Sequence, residues 1–288
     1  MVVPQFVSLA EAVAIVQDGM ILAFGGMTMY RRPVGFVRAL LQRQPRPANL
    51  TLVNFTAGFE SDLLVGAGCI RTVRSVYFGL ESFGFAPMFT EWAGRGAVEV
   101  LEETESSLAS GFRAQMAGVG FMPSRAWMGT DLPRLRPDVR TVVDPYTHET
   151  LIAFPAIRAD VAVIHALEAD QHGNIKINNN RGVDLELVCI ADTVIATVER
   201  IVENVVPSLD GFIIPKPAAT FITHVPKGAY PTSCYPDYPI AGGELMRYTD
   251  ACSAGAFDAY LESFLNDDPS SSATTQADST VSHTESPG

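Results

Sequence analysis

Short apolar runs alternate with segments of helical periodicity along most of this chain. The apolar runs predict buried β-strands, and apolar positions spaced three and four apart predict amphipathic helices. The predicted strands cover residues 20–24, 49–54, 74–78, 98–101, 160–166, 193–198 and 212–217. The predicted helices cover residues 8–17, 34–41, 61–66, 87–93, 106–117, 185–191 and 254–264, with a loop and hairpin at 142–155.

This alternation predicts an α/β protein: an open, mostly parallel sheet with helices on both faces. Ser8 and Glu11 have the spacing of a capping box at the start of the first helix. Residues 1–265 are predicted to form the folded domain. Residues 266–288 are acidic, rich in Ser and Thr, and almost free of apolar side chains, so we expect a disordered tail that cannot bury enough surface to offset ordering.

Composition narrows the possible functions. The chain has 288 residues, of which 47% are hydrophobic, and a formal net charge of -12. That excess of acid argues against a general nucleic-acid binder, which needs clustered Lys and Arg. The sequence shows neither a signal-peptide pattern nor an apolar run of membrane-spanning length, so a cytoplasmic protein without membrane contact is predicted. Cys69, Cys189, Cys234 and Cys252 are scattered, which predicts free thiols and no metal site.

One strand-to-helix junction carries candidate ligand-binding residues. The apolar run at 20–24 ends in Gly25 and Gly26, and Arg31 and Arg32 follow before the next helix. Glycines let a ligand approach backbone N–H groups closely, and two cations favour an anionic ligand. The alternative is a plain tight turn with a solvated basic pair. The pattern is not G-x-G-x-x-G, so the dinucleotide-binding fingerprint is absent.

Two further positions are candidates for substrate contact. Ser82 lies in the loop after the third predicted strand, and such loops line ligand crevices in open α/β sheets. Glu105 precedes the helix at 106–117, where an acid serves either as a general base or nucleophile, or simply as a partner of the helix dipole. His165 and His172 are seven residues apart across a strand end and lack a companion acid pair, so we interpret His165 as a core histidine satisfied by backbone and His172 as a turn residue.

Four stretches resemble the A (alpha) subunit of family I coenzyme A transferases, most closely the glutaconate CoA-transferase branch. They are ILAFGGMTMYRRPVGFVRALL at 21–41, the R-A…A-G-V-G-F-M-P pattern at 113–123, ADVAVIHALEADQHGNIKI at 159–177 and GAYPTSCY at 228–235. The resemblance runs from residue 8 to about residue 264. It implies that coenzyme A is a substrate rather than a tightly bound cofactor. Gly25, Gly26, Arg31, Arg32 and Ser82 are the predicted CoA contacts.

The resemblance also implies a partner. Family I transferases pass CoA through a glutamate that lies in a B (beta) subunit motif of the kind S/E-E-N-G. No Glu-Asn-Gly occurs in this chain, and the nearest text is Glu203-Asn204-Val205. We therefore predict the A-type chain of a hetero-oligomeric enzyme that moves CoA between an acyl-CoA and a carboxylic acid, with the catalytic glutamate in the B-type chain.

Two alternatives remain open at this stage. In ring-cleaving hydrolase relatives, which act on steroid-derived CoA thioesters, the A-type chain carries its own catalytic glutamate in the region of Glu105, which makes Glu105 the catalytic candidate of a hydrolase. A non-catalytic acyl-CoA binding protein is the third possibility. A B-type partner with Glu-Asn-Gly favours transfer, a partner without it favours hydrolysis, and no B-like partner at all favours binding alone.

Overall fold

The computed structural model describes residues 3–216 and 218–267. Its strands are β1 (Gln5–Phe6), β2 (Ile21–Phe24), β3 (Leu50–Ala57), β4 (Ile70–Phe78), β5 (Glu99–Glu102), β6 (Phe121–Ser124), β7 (Arg140–Val143), β8 (Thr150–Pro155), β9 (Ala159–Asp170), β10 (Ile175–Asn178), β11 (Ala191–Val202), β12 (Gly211–Ile214) and β13 (Phe221–His224). Its helices are α1 (Leu9–Ala14), α2 (Val34–Gln42), α3 (Phe59–Gly66), α4 (Pro87–Gly94), α5 (Glu105–Met116), α6 (Leu132–Leu135), α7 (Asp184–Ile190), α8 (Gly242–Ser253) and α9 (Phe257–Asn266).

Ten of these strands form one sheet. Its main path runs β1-β13-β11-β9-β2-β3-β4-β5, and every neighbouring pair on this path is parallel. Strands β10 and β12 extend the sheet from β9 by antiparallel pairing. A separate small sheet has the order β6-β8-β7 and is antiparallel. The predicted open, mostly parallel sheet is confirmed.

Alternate side chains of the central strands enter two different cores, because successive residues of a strand point to opposite faces. Leu22 and Phe24 of β2 pack in the larger core with side chains of α1, α2, α3, α4, α8 and α9. Ala23, between them, packs in a second core with Val53 and with side chains of α5 and α7. The predicted helices on both faces of the sheet are therefore confirmed.

Local signals in the sequence match several element boundaries. Ser8 caps α1, and the Glu11 side chain accepts from the Ser8 backbone N–H at 2.8 Å, so the predicted capping box is present. The predicted hairpin at 142–155 corresponds to the antiparallel pair β7 and β8. The predicted strand at 212–217 corresponds to β12, and its last residue, Pro217, lies outside the described residues.

Two further predictions concern the C-terminal tail and the absence of a membrane-spanning segment. The predicted tail is described only as far as Asp267, and its residues 268–288 lie outside the described part of the chain. Within residues 3–216 and 218–267, the longest helices are α5 and α8 with 12 residues each. None of the described helices has the length and apolar character needed to cross a bilayer.

Candidate functional site

The order of the strands identifies where a ligand crevice is expected. From β2 the chain continues outward through β3, β4 and β5 on one side, whereas β9, β11 and β13 lie on the other side of β2. The connections therefore change direction between β2 and β9. In open α/β sheets, ligands bind outside the carboxyl ends of the strands at such a switch point. We refer to the segments that follow β2, β3, β4 and β5 at this end as the carboxyl edge.

The glycine turn after β2 lies at this switch point and holds an anion that belongs to the protein itself. The Gly26 N–H donates a 2.7 Å hydrogen bond to Oδ1 of Asp184, the first residue of α7. A Cβ on Gly25 would lie 2.6 Å from the same oxygen, so only glycine admits this carboxylate. Gly26 has a φ of +77°, which also favours glycine. Gly26 thus binds the Asp184 carboxylate in this structure, and Gly25, whose N–H donates to the Val163 carbonyl, leaves the space for it.

Arg31 completes this buried arrangement. Its guanidinium donates to Oδ2 of Asp184 at 2.7 Å and to Oδ1 of Asn178 at 3.0 Å. It also donates to the backbone carbonyls of His165 at 2.9 Å and Asn180 at 2.6 Å. The Arg31 side chain is fully buried. In this chain it therefore ties the glycine turn to β9, β10 and α7, and presents no exposed donor to a ligand.

Arg32 is equally buried but only partly hydrogen-bonded. Its Nη2 donates to Oε1 of Glu60 at 2.6 Å, and both side chains have no solvent exposure. Nε and Nη1 of Arg32 and Oε2 of Glu60 find no hydrogen-bond partner among the residues that the structure describes. Glu60 lies in the first turn of α3, where the helix dipole favours a negative charge. This ion pair therefore joins the glycine turn to the start of α3.

Ser82 occupies an exposed position at the carboxyl edge, in a single 3-10 turn (Glu81–Phe83) after β4. The loop is well defined by hydrogen bonds: Leu80 N–H donates to the Gly84 carbonyl at 2.8 Å, and Glu81 N–H donates to the Tyr77 hydroxyl at 3.2 Å. Glu81 has a φ of 52°, a backbone conformation that is strained for any residue other than glycine. The loop therefore presents the Ser82 hydroxyl to solvent.

Glu105 is exposed at the first turn of α5, at the carboxyl end of β5. The β5 strand is three strands from β2, so Glu105 lies roughly 14 Å along the edge from the glycine turn by ordinary strand spacing. The buried acid of this region is Glu103 instead. Its Oε1 accepts from Arg74 Nε at 3.0 Å and from Arg136 Nη1 at 2.7 Å. Sequence analysis did not single out Glu103, because its arginine partners are distant in the chain.

A second buried polar cluster lies beside the switch point, on β9 and β11. His165 Nδ1 is 2.8 Å from Thr197 Oγ1, and His165 Nε2 is 2.7 Å from Glu199 Oε1. Glu199 also accepts from the Tyr238 hydroxyl at 2.6 Å. His165 is a core histidine as predicted, but its ring partners are side chains and not the backbone. With Cys234, which sequence analysis treated only as a free thiol, His165 and Glu199 bring three metal-ligating atoms within 4.8 Å of one another.

Burial and hydrogen bonding act against each other in this cluster. Burial alone would raise the pKa of the Glu199 carboxyl, but the hydrogen bonds from His165, Tyr238 and the Lys227 backbone N–H outweigh it and lower that pKa. Burial raises the pKa of the Cys234 thiol, and the nearby Glu199 charge raises it further. Glu199 is therefore an anion and Cys234 a neutral thiol in this arrangement.

The polar turn after β9 is a structural element, as its sequence predicted. Asp170 Oδ1 accepts from the backbone N–H groups of His172 at 2.9 Å and Asn174 at 3.1 Å. Its Oδ2 accepts from Asn174 Nδ2 at 2.8 Å and from Val205 N–H at 3.2 Å. Although burial alone would raise the pKa of Asp170, these hydrogen bonds outweigh it and lower that pKa. Asp170 thereby fixes the turn between β9 and β10.

Proteins of known name are similar to this chain over most of its length. The family model described as "Coenzyme A transferase" matches residues 6–222. The alpha-type (A) chain of 3-oxoadipate CoA-transferase from Pseudomonas knackmussii is 32% identical over 238 residues, 81% of this chain and 83% of that protein. The cholesterol ring-cleaving hydrolase IpdA subunit of Mycobacterium tuberculosis is 32% identical over 261 residues, 85% of this chain and 87% of that protein.

Solved structures agree with these relatives. A crystal structure of the decarboxylase AibA/AibB superposes with a TM-score of 0.85 at 30% identity, covering 93% of this chain and 100% of that one. Glutaconate coenzyme A-transferase from Acidaminococcus fermentans superposes with a TM-score of 0.80 at 24% identity, covering 90% and 88%, which supports the fold. The resemblance inferred from the sequence is confirmed, and the chain belongs to the coenzyme A transferase family.

Proposed function

We propose that this chain is the A-type chain of a two-subunit CoA transferase whose B-type partner supplies the nucleophilic glutamate. One observation carries the proposal. Three buried carboxylates near the carboxyl edge, Asp184, Glu60 and Glu103, are each held by arginine. A fourth, Asp62, is enclosed and accepts from the Tyr248 hydroxyl and the Phe89 N–H, and the chain has no Glu-Asn-Gly segment. A carboxylate that is buried and ion-paired is not free to attack a thioester. The attacking carboxylate is therefore expected from another polypeptide.

The chemistry of transfer explains why a free carboxylate is needed. A glutamate attacks the acyl-CoA thioester to give an acyl-glutamyl anhydride and CoA thiolate. The thiolate attacks the glutamyl carbonyl, which forms a glutamyl-CoA thioester and releases the first acid as its carboxylate. A second carboxylic acid then takes CoA by the reverse steps. The substrates are an acyl-CoA and a free carboxylic acid, and coenzyme A acts as the transferred group.

The carboxyl edge is the part of this chain that we assign to the shared active site. Ser82 is the exposed member of the predicted CoA contacts, so it is proposed to touch CoA or the acyl group directly. The other predicted contacts lie buried beneath this edge and support it: Gly25, Gly26, Arg31 and Arg32. Their polar groups are hydrogen-bonded to other parts of the chain or enclosed by it. They contribute to CoA binding by fixing the position of the edge.

The test is reconstitution with a B-type partner. The chain alone, the partner alone and the co-expressed pair are assayed for CoA transfer between an acyl-CoA and a carboxylic acid. We expect turnover only from the pair, and loss of turnover when the partner's glutamate in Glu-Asn-Gly is replaced by alanine. Robust transfer by the isolated chain would contradict the proposal, because no second polypeptide would then be required.

A hydrolase on the same scaffold is the second candidate, and the exposed position of Glu105 is the observation that favours it. A carboxylate at a helix N-terminus on the ligand side of the sheet is able to act as a base toward a bound thioester. The hydrolase predicts CoA-thioester turnover without any acceptor acid, whereas the transferase requires one. The two candidates therefore differ in a property that one assay measures.

A further inference from the structure

Three buried side chains from separate elements bring metal-ligating atoms together. His165 lies in β9, Glu199 in β11 and Cys234 in the segment between β13 and α8. Their ligand atoms all lie within 4.8 Å of one another, and all three residues are buried. We propose that His165, Glu199 and Cys234 bind one divalent transition-metal ion of the Zn²⁺ class. This site is independent of the proposed CoA transfer and departs from the sequence-based expectation of no metal.

Each of two ligands is held in place through its other polar atom. His165 Nδ1 lies 2.8 Å from Thr197 Oγ1, and Glu199 Oε2 accepts from Lys227 N–H at 2.7 Å. The other two atoms, His165 Nε2 and Glu199 Oε1, are hydrogen-bonded to each other at 2.7 Å, and a bound metal ion would replace that hydrogen bond. Metal-binding histidines and carboxylates are usually oriented by such outer hydrogen bonds, which also fix the histidine tautomer. The arrangement around His165 and Glu199 has this form.

Tyr238 is the polar neighbour of these ligands. Its hydroxyl is 2.6 Å from Glu199 Oε1 and accepts from Ala229 N–H at 3.0 Å. A closed four-coordinate site is typical of structural zinc, with ligands about 2.0–2.3 Å from the ion and therefore roughly 3.5 Å from one another. To reach that spacing, the 2.7 Å separation of His165 Nε2 and Glu199 Oε1 must widen, and distances to Cys234 of up to 4.8 Å must shorten.

Charge balance favours a divalent ion. A metal of charge +2 with the Glu199 carboxylate and a Cys234 thiolate is neutral overall, and a neutral set is the least costly to bury. The nearby guanidinium of Arg31 is already paired with Asp184 at 2.7 Å.

Metal binding releases a proton from the ligands in a balanced way. Cys234 releases its thiol proton to solvent as the metal–sulfur bond forms. Neutral His165 changes tautomer through solvent: the Nε2 proton leaves, Nδ1 takes one up and donates it to the Thr197 hydroxyl oxygen, and no net proton is released. The Tyr238 phenol keeps its proton and donates it in a hydrogen bond to Glu199. One proton is released per metal bound, and no oxidant or reductant is needed.

The ligand types select the metal. One imidazole nitrogen, one carboxylate oxygen and one thiolate sulfur suit Zn²⁺ or Co²⁺, whereas Mg²⁺ and Ca²⁺ prefer oxygen ligands alone. The site ties the segment at 225–238 to β9 and β11. It also reaches the glycine turn, because the His165 carbonyl accepts from Arg31. Because the ligands are buried, the ion is acquired during folding.

The experiment measures metal in the full-length chain, produced in medium supplemented with ZnCl₂ and purified without chelators. Elemental analysis is expected to give about one zinc per chain, and Cys234→Ser to reduce this to below about a tenth. Cys189→Ser, which changes an exposed thiol, is the matched control and is expected to keep the zinc. Zinc-free wild-type protein that is folded, or zinc retained fully in folded C234S, would overturn the site.

A second measurement decides the matter if C234S does not fold. Wild-type protein is unfolded, stripped of metal and refolded with CoCl₂ alone. Thiolate ligation is expected to give an intense near-ultraviolet charge-transfer band, and ZnCl₂ is expected to remove it by displacement. Refolded protein that lacks this band does not use Cys234 as a ligand and overturns the proposal. Neither measurement depends on CoA transfer, so failure of the metal site and failure of the proposed function are separate results.

Discussion

Gly26 and Asp184 are separated by 158 residues in the chain, yet the Gly26 N–H donates a 2.7 Å hydrogen bond to the Asp184 carboxylate. A glycine turn between a strand and a helix commonly holds the anionic part of a ligand. Here that position is taken by a carboxylate of the same chain, whose other oxygen accepts from Arg31 at 2.7 Å. The turn is therefore joined to the start of α7 by hydrogen bonds within the chain, at the switch point of the sheet.

This joint predicts a large cost for removing Asp184. Asp184→Ala leaves the buried Arg31 without its carboxylate partner, and breaking a buried ion pair from one side typically costs about 3–5 kcal/mol. Urea unfolding, followed by circular dichroism, measures the loss. Asp131→Ala removes a carboxylate paired with Arg134 in a highly exposed pair and should leave the unfolding midpoint nearly unchanged. Equal effects of the two substitutions would contradict the role given to Asp184.

The backbone of the turn gives a second prediction. Gly26→Ala introduces a Cβ 2.5 Å from the Tyr30 carbonyl oxygen at a φ of +77°. Gly255 has a similar φ of +71° but open space around its Cβ position. Left-handed backbone alone costs about 1–2 kcal/mol for an L-residue, so Gly255→Ala measures that strain. Gly26→Ala is expected to cost roughly 1–3 kcal/mol more from the steric overlap. Thermal and urea unfolding of the two variants supply the comparison, and equal losses would show that the overlap relaxes.

Asp62 gives a prediction about pH. It is fully enclosed, its carboxyl accepts from the Tyr248 hydroxyl at 2.5 Å and from Phe89 N–H at 2.6 Å, and burial raises its pKa from 3.8 to about 6. Between these two values the native protein keeps the proton that the unfolded chain has released. Stability contributed by Asp62 is therefore lost as pH rises from about 4 to about 6, by roughly 3 kcal/mol in total.

Asp62→Asn isolates this contribution from the other titrating groups. The free energy of unfolding is measured by urea at intervals from pH 4 to pH 7 for the wild-type protein and the variant. The difference, wild type minus variant, is expected to fall with rising pH across that window and to level off above it. A difference that is flat, or that rises with pH, would mean that Asp62 is ionised throughout.

Local sequence patterns identified the elements that are bounded by strong signals. The glycine turn gave the end of β2 and the start of α2, and the long apolar run gave β9. They missed β13, which has only two apolar residues followed by two polar ones, and α8, where Gly242 and Gly243 stand at the start. Such elements are specified by tertiary pairing with β11 and by packing against α4, which a window of sequence does not contain.

The candidate site was less predictable than the fold for the same reason. Sequence indicated that Arg31 and Arg32 matter, but their partners Asp184 and Glu60 are brought to them by folding. The spacing of residues therefore could not show that Arg31 is buried in an ion pair within the chain and is not exposed to a ligand. A charged residue within an apolar helical segment, as Asp184 is, was the one signal available for a buried partner.

The last prediction separates transfer from hydrolysis through Glu105. This side chain is exposed at the first turn of α5, so Glu105→Gln is nearly isosteric and should cost at most about 0.3–1 kcal/mol of helix stability through the dipole. In the proposed transferase, the reacting carboxylate belongs to the B-type partner, and we expect the variant complex to keep a measurable rate that depends on an acceptor acid. In a hydrolase that uses Glu105 as a base, the same change should reduce turnover by about 10²–10⁴-fold.

Glu102→Gln, at an exposed neighbour on β5, is the matched control for surface charge. Both variant complexes are assayed with an acyl-CoA, with and without the acceptor, after circular dichroism confirms folding. An inactive but folded Glu105→Gln complex beside an active Glu102→Gln complex would refute the transferase, whereas acceptor-dependent activity close to that of the parent would eliminate the hydrolase.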